Sequence, residues 1–93
     1  MGLLPDSDLE KALTALPNWK VEGKVIQRVF QFPDFAHAMV FVNKVAEEAE
    51  EAQHHPDIAI SYNRVTLSLT SHDLGGLTKR DVKMAQKISS LAA

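Results

Sequence analysis

Residues 58–69 constrain the fold more than any other stretch. Ile58, Ile60 and Tyr62 alternate with Ala59 and Ser61, and Val65, Leu67 and Leu69 alternate with Thr66, Ser68 and Thr70. A period of two places each apolar set on one face of a strand. Only Asn63-Arg64 separates the runs, so they form an antiparallel hairpin. A second pair of strands is expected at Trp19–Val21 and Val25–Phe32, around a Glu22-Gly23-Lys24 turn. In the longer of these, Ile26, Phe30 and Phe32 take the core-facing phase.

Three helical segments surround these strands. The first spans Asp8 to Leu16, where Leu9, Ala12, Leu13 and Leu16 recur at helical spacing. Ser7 and Glu10 form a capping box at its start, and Pro17 stops it. The second opens at Pro33-Asp34 with Asp34 as N-cap. It carries an apolar stripe of Phe35, Ala38, Met39, Val42, Val45, Ala46 and Ala49. Phe41 lies outside that stripe, which points to a second buried contact such as a subunit interface. Pro56 ends this helix near Gln53–His55, because a residue before proline avoids helical geometry. Leu74-Gly75-Gly76-Leu77 reads as a flexible loop. Thr78 caps a last helix with Asp81 in the carboxylate position of the capping box and Leu77 and Val82 as a staple. The simplest packing of this order, α-β-β-α-β-β-α, is a two-layer α+β domain: a four-stranded antiparallel sheet with helices on one face.

The chain has 93 residues, enough for one domain, expected over residues 1–93. A domain of this size buries only about 60–65% of its unfolded surface. It holds no cysteine, so disulfides and cysteine-ligated zinc are excluded. Oligomerisation is then the remaining source of extra buried area. The formal net charge is −2 and the basic residues are scattered, which argues against direct nucleic-acid binding. The first residues lack the pattern of a signal peptide, and no apolar run approaches the roughly 20 residues of a membrane span. A cytoplasmic location is expected.

Four histidines carry the chemical interest. His37 sits on the polar side of the second helix and reads as a surface residue. His54 and His55 close that helix, and His72 falls at the end of the last strand, in phase with its polar set. Two adjacent imidazoles before a proline allow three readings. They can ride on a solvated helix end, where a cation gains slightly from the dipole. They can bind metal, but consecutive helical side chains diverge by about 100°. Glu50 and His54 have the better spacing, yet with one distant histidine they make a weak zinc signature, and no metal is expected. They can also act as acid and base, since histidine exchanges a proton near neutral pH. Asp81 and Glu50 are placed to orient such imidazoles. Trp19 and Tyr62 read first as packing residues, although a planar ligand could stack on one of them.

The run Glu50-Glu51-Ala52-Gln53-His54-His55-Pro56, followed by Tyr62, His72 and Asp81, resembles the signature of the pterin-4a-carbinolamine dehydratases. The likeness extends to Trp19, to Phe30-Gln31-Phe32-Pro33-Asp34-Phe35 and to Gly76-Leu77-Thr78-Lys79-Arg80-Asp81. It implies a cofactor-free hydro-lyase that converts 4a-hydroxytetrahydropterin to quinonoid dihydropterin, recycling the pterin of an aromatic amino acid hydroxylase. By resemblance, His54, His55 and His72 surround the pterin, with His54 and His72 handling protons. Asp81, Glu50, Arg80 and Trp19 then bind or orient. The resemblance also implies a homodimer or homotetramer. Its alternatives are a non-catalytic pterin-binding or dimerisation protein that serves a transcription factor, or a role in molybdenum cofactor metabolism.

Overall fold

A computed structural model describes residues 2–92, so the end residues of the expected domain lie outside the described residues. The elements are α1 (Asp6–Thr14), β1 (Lys20–Glu22), β2 (Val25–Gln31), α2 (Phe35–Ala52), β3 (Asp57–Ser61), β4 (Arg64–Leu69) and α3 (Lys79–Leu91). The four strands form one antiparallel sheet in the order β1-β2-β4-β3. This is the α+β architecture and element order that the periodicities imply.

Register decides which face is buried. Ile26 pairs with Leu69, Arg28 with Leu67 and Phe30 with Val65. Paired residues share a face, and Ile26, Phe30, Val65, Leu67 and Leu69 are all buried there. Ala38, Phe41 and Val45 of α2 and Met84, Ala85 and Ile88 of α3 complete the same core. The opposite face is mostly polar, although Val29 is exposed on it, with Gln27 Nε2 donating to Ser68 Oγ across the sheet at 3.0 Å.

Three details depart from the sequence reading. The helix α1 starts two residues early, at Asp6, with Pro5 as its N-cap and no side-chain cap. Pro5 has φ −62°, already set for helix entry, and its carbonyl accepts from Leu9 N–H at 3.0 Å. Ser7 therefore lies inside the first turn and makes no capping box. At the other end, Ala15 and Leu16 N–H bond back three residues, to Ala12 and Leu13, which tightens the final turn before Pro17.

The hairpin turn is Tyr62-Asn63 rather than Asn63-Arg64, because Ser61 pairs with Arg64. Tyr62 takes a left-handed φ of 53° at the apex. Asn63 exchanges bonds with the end of the neighbouring strand: Asn63 Nδ2 donates to Phe32 O, and Phe32 N–H to Asn63 O, both at 2.9 Å.

Phe41 belongs to the core of this subunit and not to an outer contact. Its ring lies 4.8 Å from that of Phe30 and 5.0 Å from that of Phe32, within the range of favourable aromatic pairs. This aromatic contact rotates α2 so that Ala38, Phe41, Val45 and Ala49 point inward. Ala38, Val45 and Ala49 of the expected stripe stay buried, while its Phe35 edge is turned outward and is 50% exposed.

Candidate active site

The end of α2 sets the geometry of the first two histidines. Gln53 adopts the left-handed conformation, φ 52° and ψ 41°. Gln53 N–H then reaches Glu50 O at 3.3 Å and His54 N–H reaches Ala49 O at 3.1 Å. This is the bond pattern of a Schellman cap. The chain leaves the helix here, so the four-residue spacing of Glu50 and His54 no longer makes them neighbours. His54 turns inward and is 8% exposed, whereas His55 stays in solvent. Glu50 accepts from His55 Nε2 instead of His54.

A left-handed residue with a side chain is strained by about 1–2 kcal/mol relative to glycine. The Gln53 side chain returns part of this by donating to Glu50 O at 2.6 Å. Gln53→Gly should therefore stabilise the fold by about 0.5–1 kcal/mol, read as a higher urea midpoint at unchanged slope. A lower midpoint would show that the side-chain bond outweighs the backbone strain.

The start of α3 supplies the partner of His54. Thr78 caps the helix, and its capping box with Asp81 is complete. Asp81 is fully buried. Its Oδ2 accepts Thr78 N–H and the Ser71 hydroxyl, each at 2.9 Å, and its Oδ1 accepts His54 Nε2–H at 2.6 Å. Capping and contact with an imidazole are thus divided between the two oxygens of one carboxylate.

His72 lies on a turn held against the same helix start. Ser71 O accepts from Leu74, Gly75 and Gly76 N–H at 3.0, 2.9 and 3.3 Å, and Ser71 N–H donates to Gly76 O at 2.9 Å. Gly75 meets this geometry with φ +75°. Residues 71–76 are therefore a closed, hydrogen-bonded turn where the glycines suggested a flexible loop. His72 is exposed on it. Both its chain neighbours are tied to α3: Ser71 to Asp81, and Asp73 Oδ1 to Arg80 Nη2 at 2.7 Å. The hydrogen bond from Arg80 holds the Asp73 carboxyl below its ordinary range.

A cleft of about 600 Å³ opens beside His54. Glu48, Glu51 and Ala52 of α2 form one wall, and Lys79, Arg80, Lys83, Met84 and Lys87 of α3 form the other. Its volume is that of a small-molecule site. Of the residues singled out in the sequence, this cleft gathers His54 and Arg80, with Asp81 behind His54. His55, His72 and Glu50 are not part of its lining.

Trp19 is not brought to the cleft. It is 5% exposed, packs edge-on against Phe30 at 6.1 Å and donates its indole N–H to Ser89 Oγ at 2.9 Å. Ser89 lies eight residues past Asp81, roughly 12 Å along the axis of α3. The ligand-facing expectation for Trp19 gives way to core packing. No group of three or more His, Cys, Asp or Glu among the described residues is arranged to hold a metal ion.

Two features escaped the sequence reading. Lys79, Lys83 and Lys87 line one side of the cleft, and their four-residue spacing was visible. Ser71 is 1% exposed. Its signal was phase: it follows Leu69 by two and so continues the inward set, while His72 continues the outward one.

Fold and site together define a small α+β domain whose one buried imidazole is held by a helix-capping carboxylate. The family model described as pterin 4 alpha carbinolamine dehydratase matches residues 2–91, and the chain belongs to that family. A Cyanothece sp. protein carried under the provisional name of pterin-4-alpha-carbinolamine dehydratase is 54% identical over 90 residues, 97% of this chain and 93% of its own. A crystal structure of a transcriptional coactivator/pterin dehydratase from Brucella melitensis superposes with a TM-score of 0.94 at 39% identity, covering 99% of this chain and 100% of that one. A pterin dehydratase-like protein described as a RuBisCO assembly factor of the alpha-carboxysome superposes with a TM-score of 0.71 at 25% identity, over 82% of this chain and 90% of that one.

Proposed function

We propose that this chain dehydrates a 4a-hydroxytetrahydropterin to the quinonoid dihydropterin, with imidazoles as acid and base. The observation that carries the reading is the His54–Asp81 pair, buried beside a cleft large enough for a two-ring heterocycle. Family membership supplies the substrate class.

The chemistry needs one proton given and one taken. The C4a hydroxyl leaves as water once its oxygen is protonated. N5 gives up its proton, and the electron pair of that N–H bond forms the new C4a=N5 double bond. The sum is loss of one water with no change of oxidation state, so protein acids and bases meet the demand without a cofactor. Of the three histidines only His54 lines the cleft; family resemblance adds His72 as its partner in moving the protons and His55, tethered by Glu50, as the group that holds the ring. Arg80 and Asp81 fix the walls. In a cell the reaction would serve an aromatic amino acid hydroxylase in the cytoplasm.

The decisive assay generates the carbinolamine and follows its decay by ultraviolet absorbance. The purified protein should speed that decay well beyond buffer. A decay equal to that in buffer would sink the enzymatic reading and leave a non-catalytic pterin-binding protein.

Self-association belongs to the same proposal. The outer edge of β3 has no strand beside it among the described residues. Ile58 and Ile60, on the helix-facing side of that edge, are 38% and 40% exposed. An unpaired strand edge with apolar side chains favours pairing with a second chain. Light scattering at micromolar concentration should give a dimer or a tetramer, and a monomer mass would overturn this.

A further inference from the structure

We propose that Ser71 is a positioning residue for His54, fixing which ring nitrogen of that histidine exchanges a proton; its kinetic consequence rests on the dehydratase reading above.

The hydroxyl hydrogens of this buried cluster can be placed one by one. Ser71 has a single hydroxyl proton, and its bond to Asp81 Oδ2 uses it. The Ser71–Thr78 contact at 2.9 Å must then run from the Thr78 hydroxyl to Ser71 Oγ. Thr78 Oγ1 in turn accepts Arg80 N–H at 3.2 Å. Oδ2 of Asp81 is therefore occupied by two donors, Ser71 O–H and Thr78 N–H. The carboxylate plane is pinned, and Oδ1 is left to face His54. A carboxylate oxygen only accepts, so His54 carries its proton on Nε2. Nδ1 is then the nitrogen that can take a proton from, or return one to, a ligand.

Ser71 acts in two directions. Its side chain sets the orientation of Asp81, and its backbone closes the turn that carries His72. It is the residue through which the buried histidine and the exposed one share a single framework. Removing the hydroxyl takes one donor from Asp81 Oδ2 and leaves the Thr78 hydroxyl without its acceptor in a fully buried place. An orphaned hydroxyl beside a carboxylate competes for it. The hold on His54 Nε2–H then weakens, and both ring tautomers become populated.

The test pairs nitrogen NMR of the imidazoles, which needs no substrate, with steady-state kinetics. In the wild type, His54 should show a protonated Nε2 and an unprotonated Nδ1. In Ser71→Ala the two nitrogen shifts should move toward each other. The same variant should lose about 10–100-fold in kcat, by analogy with outer hydrogen bonds that orient metal-bound histidines, with KM little changed and the pH–rate limb displaced. Ser71→Thr, which keeps the hydroxyl, should restore the wild-type tautomer and most of the rate. If Ser71→Ala does not fold, Ser71→Cys, close in size but a weak donor, is read in the same way. An unchanged tautomer, or a changed tautomer with unchanged kcat and pH profile, overturns the proposal. If the wild type itself lacks dehydratase activity, the functional reading fails, and the tautomer alone decides the structural role of Ser71.

Discussion

Asp81→Ala should cost about 3–5 kcal/mol of folding stability, the range for removing one partner of a buried ionic or hydrogen-bonded pair. The loss has two sources. Thr78 N–H, the Ser71 hydroxyl and His54 Nε2–H each lose their acceptor, and a buried unpaired donor costs about 1–3 kcal/mol. The first of these bonds is also the Asp81 half of the α3 capping box. A cavity remains where a fully buried side chain stood. Small domains hold about 5–15 kcal/mol in all, so the variant should be partly unfolded at 25 °C in modest urea. Asp81→Asn separates the two jobs of the carboxylate. Its amide oxygen can still accept from Thr78 and Ser71, so the cap survives and the stability loss should be smaller. Its amide nitrogen then faces His54 and donates, which forces the proton of that imidazole to Nδ1. The Asn variant should be folded and nearly inactive, by chemical denaturation and by the absorbance assay. An Asn variant with wild-type turnover would show that Asp81 serves the helix alone.

The sheet was legible because its signal is local. A period of two across residues 58–69, interrupted once by a two-residue turn, marks an antiparallel hairpin. The placement of the turn within that stretch was not legible. Tyr62 extends the alternation, and only the tie between Asn63 and Phe32, distant in sequence, moves it to the apex. The rotation of α2 failed for a similar reason: helical spacing admits two adjacent stripes, and the Phe30 and Phe32 rings choose the one holding Phe41. At the candidate site, residue types were readable but partners were not. Glu50 and His54 look like a helical pair only if the helix continues, and a left-handed Gln53 stops it. Asp81 was identifiable as a cap from Thr78 and from its position. That its second oxygen meets His54, 27 residues earlier, depends on how α2 and α3 pack, which no local pattern encodes. Trp19 shows the converse. Its type reads first as packing and only the resemblance put it beside the ligand; its Ser89 bond and burial place it in the core.

His72→Ala should lower kcat for carbinolamine dehydration by about 10²-fold or more, within the range for lost acid–base catalysis, while leaving stability unchanged. This variant is the cleaner of the two histidine tests. The His72 ring is exposed, and the turn beneath it is held by the backbone of Ser71 and by the Asp73–Arg80 pair, neither of which needs an imidazole. His54→Ala should lower kcat by at least as much, but it also strips a buried carboxylate of one of its three donors, so its rate must be read at a temperature where the variant is folded. If the two imidazoles serve one proton-in, proton-out event, removing both should cost little more than removing one, because residues that act as a unit are not additive. His55→Ala should raise KM more than it lowers kcat, as expected of a group that holds the ring and moves no proton. Undiminished turnover in both His54→Ala and His72→Ala would end the acid–base mechanism. Full turnover in His72→Ala alone would confine the chemistry to His54 and the cleft it lines, with water or Arg80 left to meet the departing hydroxyl.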